Sequence, residues 1–90
     1  MEFEWDENKA AANLSKHGVS FNEAKTVFED TLYVIFDDPM HSSEEQRYLI
    51  IGESARKRIL MVAFTERDNV IRLISARKAI RREIENYEEG

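Results

Sequence analysis

Six consecutive apolar residues, 59–64, limit the fold of this chain more than any other feature of its sequence. Such a run is typical of a β-strand that is covered on both faces, so it predicts a central strand. Segments rich in β-branched and aromatic residues accompany it at 31–36, 47–51 and 70–74. Residues 66–69, between the last two strands, have the length of a hairpin loop. The sequence therefore predicts an antiparallel meander of four strands.

The first third of the chain is predicted to be mainly helical. After a short extended start at residues 3–5, Asp6 is the expected N-cap of a helix over residues 7–16. His17 and Gly18 are expected to end this helix, because a glycine readily adopts the left-handed conformation of a C-terminal cap.

Two further helix starts are predicted from serine residues. Ser20 and Glu23 have the spacing of a capping box and open a second short helix. A last helix is predicted after Ser75, its expected N-cap, because apolar residues recur at helical spacing. These are Ala76, Ile80, Ile84 and Tyr87. The whole order predicts an α+β fold: a four- to five-stranded, mostly antiparallel sheet with two N-terminal helices and one C-terminal helix.

Size and composition exclude several classes of protein. A chain of 90 residues buries a single small core, so residues 1–90 are predicted to form one domain. No apolar stretch approaches the ~20 residues that cross a membrane, and the acidic N-terminus lacks the features of a signal peptide. Without cysteine, the chain has no disulfides and no thiolate chemistry. The cytoplasm is the expected location.

The net charge of −5 conceals an uneven distribution. Residues 56–82 contain nine basic and two acidic side chains, whereas the rest of the chain contains four basic and sixteen acidic ones. A polyanion would be attracted to the basic segment if the fold keeps these charges apart in space. The alternative is an ordinary solvated surface crossed by ion pairs.

Histidines and basic side chains provide the candidate functional groups. His17 is expected at a helix C-terminus, where it either complements the helix dipole or lies near a phosphodiester. His41 and the neighbouring Asp37 and Asp38 are a weak metal-binding pattern that a polar loop explains equally well, so no metal site is predicted. Lys9 and Lys16 share one helix face, for RNA binding or for solvation.

Three arginines have informative positions. Arg67 is predicted in a turn that a partner can reach, and Arg72 is expected opposite the apolar face of its strand. Arg77 and Lys78 are predicted to open the last helix, where cations oppose the helix dipole. Two cations at the start of a helix depart from the charge pattern that stabilises a helix. This departure marks Arg77 and Lys78 as candidate functional residues.

Several sequence blocks in the same order resemble one family. These are residues 3–9, 16–24, 51–54, 64–67 and 71–79, together with Glu83 and Tyr87. The blocks resemble those of BrnT-type toxins, the ribonuclease members of BrnT/BrnA type II toxin–antitoxin systems. The resemblance extends from Phe3 to Tyr87 and implies a fold similar to that of RelE-type toxins.

The resemblance also implies an activity and a partner. The activity is metal-independent RNA cleavage without a cofactor, and the partner is a BrnA-like ribbon-helix-helix antitoxin in a hetero-oligomer. DNA is expected to be contacted only through this antitoxin, and no membrane is expected to be bound.

Chemical reasoning then assigns candidate roles to the polar residues of these blocks. Cleavage by the 2′-hydroxyl of the substrate needs a stabilised phosphate and proton transfer. Arg67 and Arg77 are candidates for the phosphate, because guanidinium groups bind phosphate oxygens in pairs. The candidates for proton transfer are His17, Glu66 and Tyr87, and those for RNA binding are Lys9, Lys16, Arg72 and Lys78.

Two other functions stay open at this point. The chain is alternatively a non-catalytic module that binds a nucleic acid or another partner through its basic segment. It is otherwise a degenerate toxin that keeps antitoxin binding but has lost cleavage.

Overall fold

The structure, a computed structural model, describes residues 1–41 and 45–89. The described elements follow in the order β1 (Glu2–Glu4), α1 (Glu7–His17), α2 (Phe21–Ala24), β2 (Val34–Asp37), β3 (Tyr48–Glu53), β4 (Ile59–Arg67), β5 (Val70–Lys78) and α3 (Arg81–Glu89). Short 3₁₀ segments, Lys25–Glu29 and Pro39–His41, follow α2 and β2. The predicted α+β class is confirmed.

The described strands form a single sheet in the order β1-β5-β4-β3-β2. Strands β2 to β5 are the predicted antiparallel meander, and β4 lies at its centre, as the apolar run indicated. The short extended start pairs in parallel with β5 as the fifth strand, through Phe3 opposite Ile71.

Local sequence signals explain where the first helices begin and end. The side chain of Asp6 accepts hydrogen bonds from the backbone N–H groups of Asn8 and Lys9, and so caps α1. Gly18 ends α1 with a φ of 69°, a left-handed conformation that favours glycine. The hydroxyl of Ser20 accepts a hydrogen bond from the backbone N–H of Glu23 at 3.0 Å and caps α2. The three predicted caps are confirmed, but Glu23 does not complete the capping box, because its carboxylate accepts hydrogen bonds from Ser54 and Arg58 instead.

The hydrophobic core lies between one face of the sheet and the layer of α1, α2 and the first 3₁₀ segment. Its fully buried side chains include Phe21 and Val27 from this layer and Ile50, Leu60 and Val62 from the sheet. Ring contacts extend the core, among them Phe28–Phe64 with centroids 5.0 Å apart and Trp5–Phe21 with centroids 5.9 Å apart. The opposite face of the sheet carries two further buried apolar residues, Ile51 and Met61, which pair with each other.

A buried asparagine joins α1 to β5. The Asn13 side chain donates hydrogen bonds to the carbonyl oxygens of Val19 and Ala76, at 2.9 and 2.8 Å. It also accepts one from the backbone N–H of Ala76, at 3.0 Å. The side chain thereby satisfies three backbone groups that the core shields from water.

We expect Asn13→Leu to lower the free energy of unfolding by about 3–5 kcal/mol. Leucine has a similar volume but leaves three buried backbone groups without partners, each costing about 1–3 kcal/mol. Urea denaturation measures the change, and Asn8→Leu on the exposed surface of the same helix is the control. Equal, small losses in both variants would contradict the structural role of Asn13.

The prediction that Ser75 caps the last helix is wrong. Ser75, Arg77 and Lys78 lie within β5, and α3 begins only at Arg81. The misleading pattern arises because Ala76, a core residue of β5 opposite Val62, lies four residues before Ile80, which adjoins the start of α3. A register shift in the same strand, where Ala63 pairs with Ser75 and Phe64 pairs with Leu73, leaves Ile74 as a bulge residue.

The position predicted for Arg67 also needs correction. Arg67 is the last residue of β4, paired with Val70, and not part of the turn. The turn is made by Asp68 and Asn69, whose φ angles of 51° and 68° are left-handed. Both residue types tolerate this conformation, so a two-residue hairpin connection forms without glycine.

Candidate active site

The face of the sheet opposite the core carries a group of arginines. In the pairing of β4 with β5, Thr65 lies opposite Arg72 and Met61 opposite Arg77, in alternation with residues that point into the core. Arg67 is two residues beyond Thr65 and so shares its face. Arg47 precedes β3 and lies on the same side. We call the surface formed by Arg47, Arg67, Arg72 and Arg77 the arginine face.

A cavity of about 310 Å³ opens on this face. Its lining combines three apolar side chains of the sheet with five polar ones. The apolar residues are Leu49, Ala63 and Ile74, and the polar residues are Asp38, His41, Arg47, Ser75 and Arg77. Two guanidinium groups and an imidazole therefore line one concave site.

His41 is oriented by the neighbouring Asp38. The two carboxylate oxygens of Asp38 lie 3.0 and 3.2 Å from Nδ1 of His41. The side chain of His41 is 61% exposed and that of Asp38 only 14%. A carboxylate at Nδ1 fixes the ring and its tautomer, which leaves Nε2 as the nitrogen that can exchange a proton with a substrate.

Each of three arginines on this face is held by a glutamate. Arg67 donates two hydrogen bonds to Glu45, at 2.7 and 2.9 Å. Arg77 donates two to Glu83 of α3, both at 2.8 Å. Arg72 donates one to Glu4 of β1, at 3.0 Å. The carboxylates occupy the positions in which a guanidinium group also binds phosphate oxygens.

The lowered pKa of the Glu45 carboxyl indicates that several arginines lie close to it. The hydrogen bonds from Arg67 lower the pKa of the Glu45 carboxyl, and the positive charges of Arg67, Arg47 and Arg72 lower it further. The pKa of Glu83 is lowered chiefly by its hydrogen bonds with Arg77. Both carboxylates therefore stay ionised, and a phosphate would have to displace them.

Part of the basic segment serves the fold instead. Glu23, buried in α2, accepts hydrogen bonds from Arg58 and from the hydroxyl of Ser54, the latter at 2.7 Å. The hydrogen bonds from Arg58 hold the pKa of the Glu23 carboxyl below its usual value. The expectation of a surface crossed by ion pairs thus describes a good part of this segment.

Tyr87 anchors α3. Its hydroxyl donates a hydrogen bond to Asp30, and this bond raises the pKa of Tyr87 to about 12. Asp30 also accepts hydrogen bonds from the backbone N–H groups of Leu32 and Glu53. The phenol therefore stays protonated at neutral pH and connects α3 with the end of the first 3₁₀ segment.

The structure separates the predicted site residues into two groups. Arg67, Arg72 and Arg77 lie together on the arginine face. The others lie elsewhere. Lys9, Lys16 and His17 are in α1, on the core side of the sheet; Glu66 and Lys78 also point to that side, and Tyr87 is in α3.

Sequence reasoning missed the contribution of Asp38, His41 and Arg47 to the site. The available signal was a histidine three residues after an aspartate at the end of a predicted strand. That pattern indicates a metal ligand or a polar loop and does not by itself indicate a proton-transfer pair. In the described part of the chain, no three histidine, aspartate or glutamate side chains gather as metal ligands.

The fold has a solved counterpart. It matches the 1.1 Å crystal structure of the Brucella abortus ribonuclease toxin, BrnT, with a TM-score of 0.71 and 26% sequence identity. The match covers 90% of this chain and 99% of that one. No curated relative matches the chain. Fold and likeness together define the class, that of small α+β ribonuclease toxins.

A match to a family model identifies the family of the chain. The model described as "Ribonuclease toxin, BrnT, of type II toxin-antitoxin system" matches residues 5–83. The chain therefore belongs to the BrnT family of ribonuclease toxins, as the sequence blocks indicated. Membership in this family implies an antitoxin partner.

Proposed function

We propose that the chain is a metal-independent RNA endonuclease that arrests growth by cleaving RNA. The observation that carries this proposal is the cavity in which the His41–Asp38 pair lies together with Arg47 and Arg77. The guanidinium groups supply, without a metal, the positive charge that a cleaved phosphodiester needs.

The proposed reaction uses the 2′-hydroxyl of the substrate as nucleophile. Its oxygen attacks phosphorus and the bond to the 5′-oxygen breaks, which leaves a 2′,3′-cyclic phosphate and a 5′-hydroxyl. Arg77 and Arg47 stabilise the additional negative charge on the phosphate oxygens. His41 accepts the proton of the 2′-hydroxyl, a role that the sequence assigned to His17, Glu66 or Tyr87, because His41 lies in the cavity with the arginines. The departing 5′-oxygen takes up a proton from water.

The remaining arginines are proposed to hold the rest of the RNA. Arg67 and Arg72 lie near each other on the same face as Arg77, where successive phosphates of one strand can reach them. To bind, each phosphate displaces the glutamate that holds the arginine.

Neutralisation is proposed to come from a BrnA-like ribbon-helix-helix antitoxin in a hetero-oligomer. The antitoxin also makes any DNA contact of the complex. We place the protein in the cytoplasm, where its RNA substrate is found. None of the described helices is long and apolar enough to cross a membrane.

Cleavage of single-stranded RNA by the purified chain in the presence of EDTA tests the proposal. We expect products ending in a 2′,3′-cyclic phosphate, and no product when the nucleotide before the cleaved bond is 2′-deoxy. Complete loss of cleavage in EDTA, restored by a divalent cation, would contradict the metal-independent reaction.

A non-catalytic function is the second candidate. The observation that favours it is the pairing of Arg67, Arg72 and Arg77 with glutamates, which reduces the positive charge of the face. A chain of this kind would bind its antitoxin with normal affinity and leave every RNA uncut in the same assay.

A further inference from the structure

The exposed apolar side chains of the protein are concentrated around β2. Eight large hydrophobic side chains are exposed in the described part of the chain, and five of them fall within residues 32–40. They are Leu32, Tyr33, Ile35, Phe36 and Met40. A concentration of this kind marks a surface that another molecule covers.

The backbone of β2 adds a second feature. In the sheet that the described residues form, β2 is an edge strand, so its outer N–H and C=O groups are available to pair with another strand. The opposite edge differs, because β1 has three residues and carries Glu2 and Glu4, the second paired with Arg72. Acidic residues protect that edge, whereas β2 has none before Asp37.

Both faces of β2 are suited to side chains of an added strand. Phe36 pairs with Leu49 on the arginine face, and Ile35 pairs with Ile50 on the core side. Next to Ile35 lies a cavity of about 360 Å³, half of whose lining residues are aromatic and one of which is Glu66. The aromatic residues are Phe28, Tyr33, Tyr48 and Phe64. An apolar side chain of an added strand would fill this cavity.

The charge of the segment that contains β2 indicates the chemistry of the occupant. Residues 26–40 contain four carboxylates and no lysine, arginine or histidine. A second copy of the chain would bring these acidic segments together, which is unfavourable. A strand with alternate apolar residues and flanking cationic residues complements the surface.

We propose that β2 is the docking strand for an extended segment of the antitoxin, which joins the sheet beside it. The inference rests on the proposed function in that antitoxin binding is taken to stop cleavage. Asp38 and His41 follow β2 directly along the chain, so a segment seated on this edge ends beside the cavity that holds them. A single docking event therefore covers the apolar surface and obstructs the cavity.

Hydrogen exchange and affinity measurements test this docking site. The probe is the protein encoded by the reading frame next to this gene, purified alone and as the complex. We expect amides of Val34–Asp37 that exchange rapidly in the free chain to become protected in the complex. Ile35→Lys and Leu32→Lys, at side chains 43% and 70% exposed, should each weaken binding at least about tenfold.

Leu14→Lys is the matched control, because Leu14 is an exposed leucine of α1, 51% accessible and distant from β2. Leu32→Lys keeps the test valid if Ile35→Lys fails to fold. Protection confined to α1 or α3, or an equal loss of affinity in Leu14→Lys, would overturn the docking site. Light scattering that shows a dimer of the free chain, with β2 protected, would assign this edge to self-association instead.

The binding measurements need no RNA, so they separate the two proposals. A chain that binds the antitoxin through β2 but cleaves no RNA would refute the proposed ribonuclease function alone. A chain that cleaves RNA and binds the antitoxin without protecting β2 would refute the docking site alone.

Discussion

Replacing His41 by alanine is expected to lower the rate of RNA cleavage by about 10²–10⁴-fold, the usual effect of losing a group that transfers protons. The side chain is largely exposed and its hydrogen bonds join it to Asp38 alone among the described residues. The fold should therefore be preserved. Single-turnover cleavage measures the effect, and thermal unfolding checks the stability.

His17→Ala is the informative comparison, because it removes the other histidine of the chain from the far side of the sheet. Asp38→Asn should have a smaller effect than His41→Ala, since it retains the imidazole but not its fixed tautomer. A loss at His17 equal to that at His41 would contradict the assignment of proton transfer to the cavity.

Replacing Arg77 by alanine is expected to lower the cleavage rate by about 100-fold or more, through loss of a donor to the transition-state phosphate. RNA affinity should fall much less, because other arginines of the face still contact the strand. Arg77→Lys should restore activity only in part, since an ammonium group lacks the paired donors of a guanidinium group. Single-turnover rates and RNA binding measure the two effects separately.

The control must account for the ion pair that joins Arg77 to α3. Glu83→Gln weakens the same connection but keeps the guanidinium group in the cavity. We expect this variant to cleave RNA at a rate near that of the natural chain or above it. If Glu83→Gln loses as much activity as Arg77→Ala, Arg77 acts by positioning α3 and not by binding phosphate.

Much of the fold was predictable because its signals are local. A fully apolar segment needs cover on both faces, and β4 has it: Leu60, Val62 and Phe64 are buried in the core, and Met61 is buried on the opposite face. Asp6, Gly18 and Ser20 satisfy backbone groups within a few residues of themselves, so their roles can be read from adjacent sequence.

The wrong predictions concern features that depend on distant parts of the chain. Strand β5 runs on to Lys78 because its residues pair with distant residues of β4, as Ala76 does with Val62, and the sequence around Ser75 does not show this pairing. Family resemblance and residue chemistry both led to Arg77, yet its place in a strand and its pairing with Glu83 were not visible in the sequence.

Of the candidate site, the sequence indicated Arg67, Arg72 and Arg77 but not Asp38, His41 or Arg47, for a similar reason. His41 and Arg47 come together because β2 and β3 are neighbours in the sheet, and Arg77 reaches the same cavity from the far end of β5. The partners of Arg67 and Arg72 are 22 and 68 residues away. A pattern of neighbouring residues cannot predict contacts between residues so far apart in the sequence.

If RNA binds the arginine face as proposed, the glutamates that hold its arginines favour an RNA strand over a mononucleotide. A mononucleotide offers one phosphate and so competes with one of Glu4, Glu45 and Glu83. An RNA strand offers a phosphate at every nucleotide, and once the first has displaced a glutamate the next competes at a high effective concentration. The protein then distinguishes an RNA strand from a mononucleotide by the number of glutamates that phosphates displace, before any base is contacted.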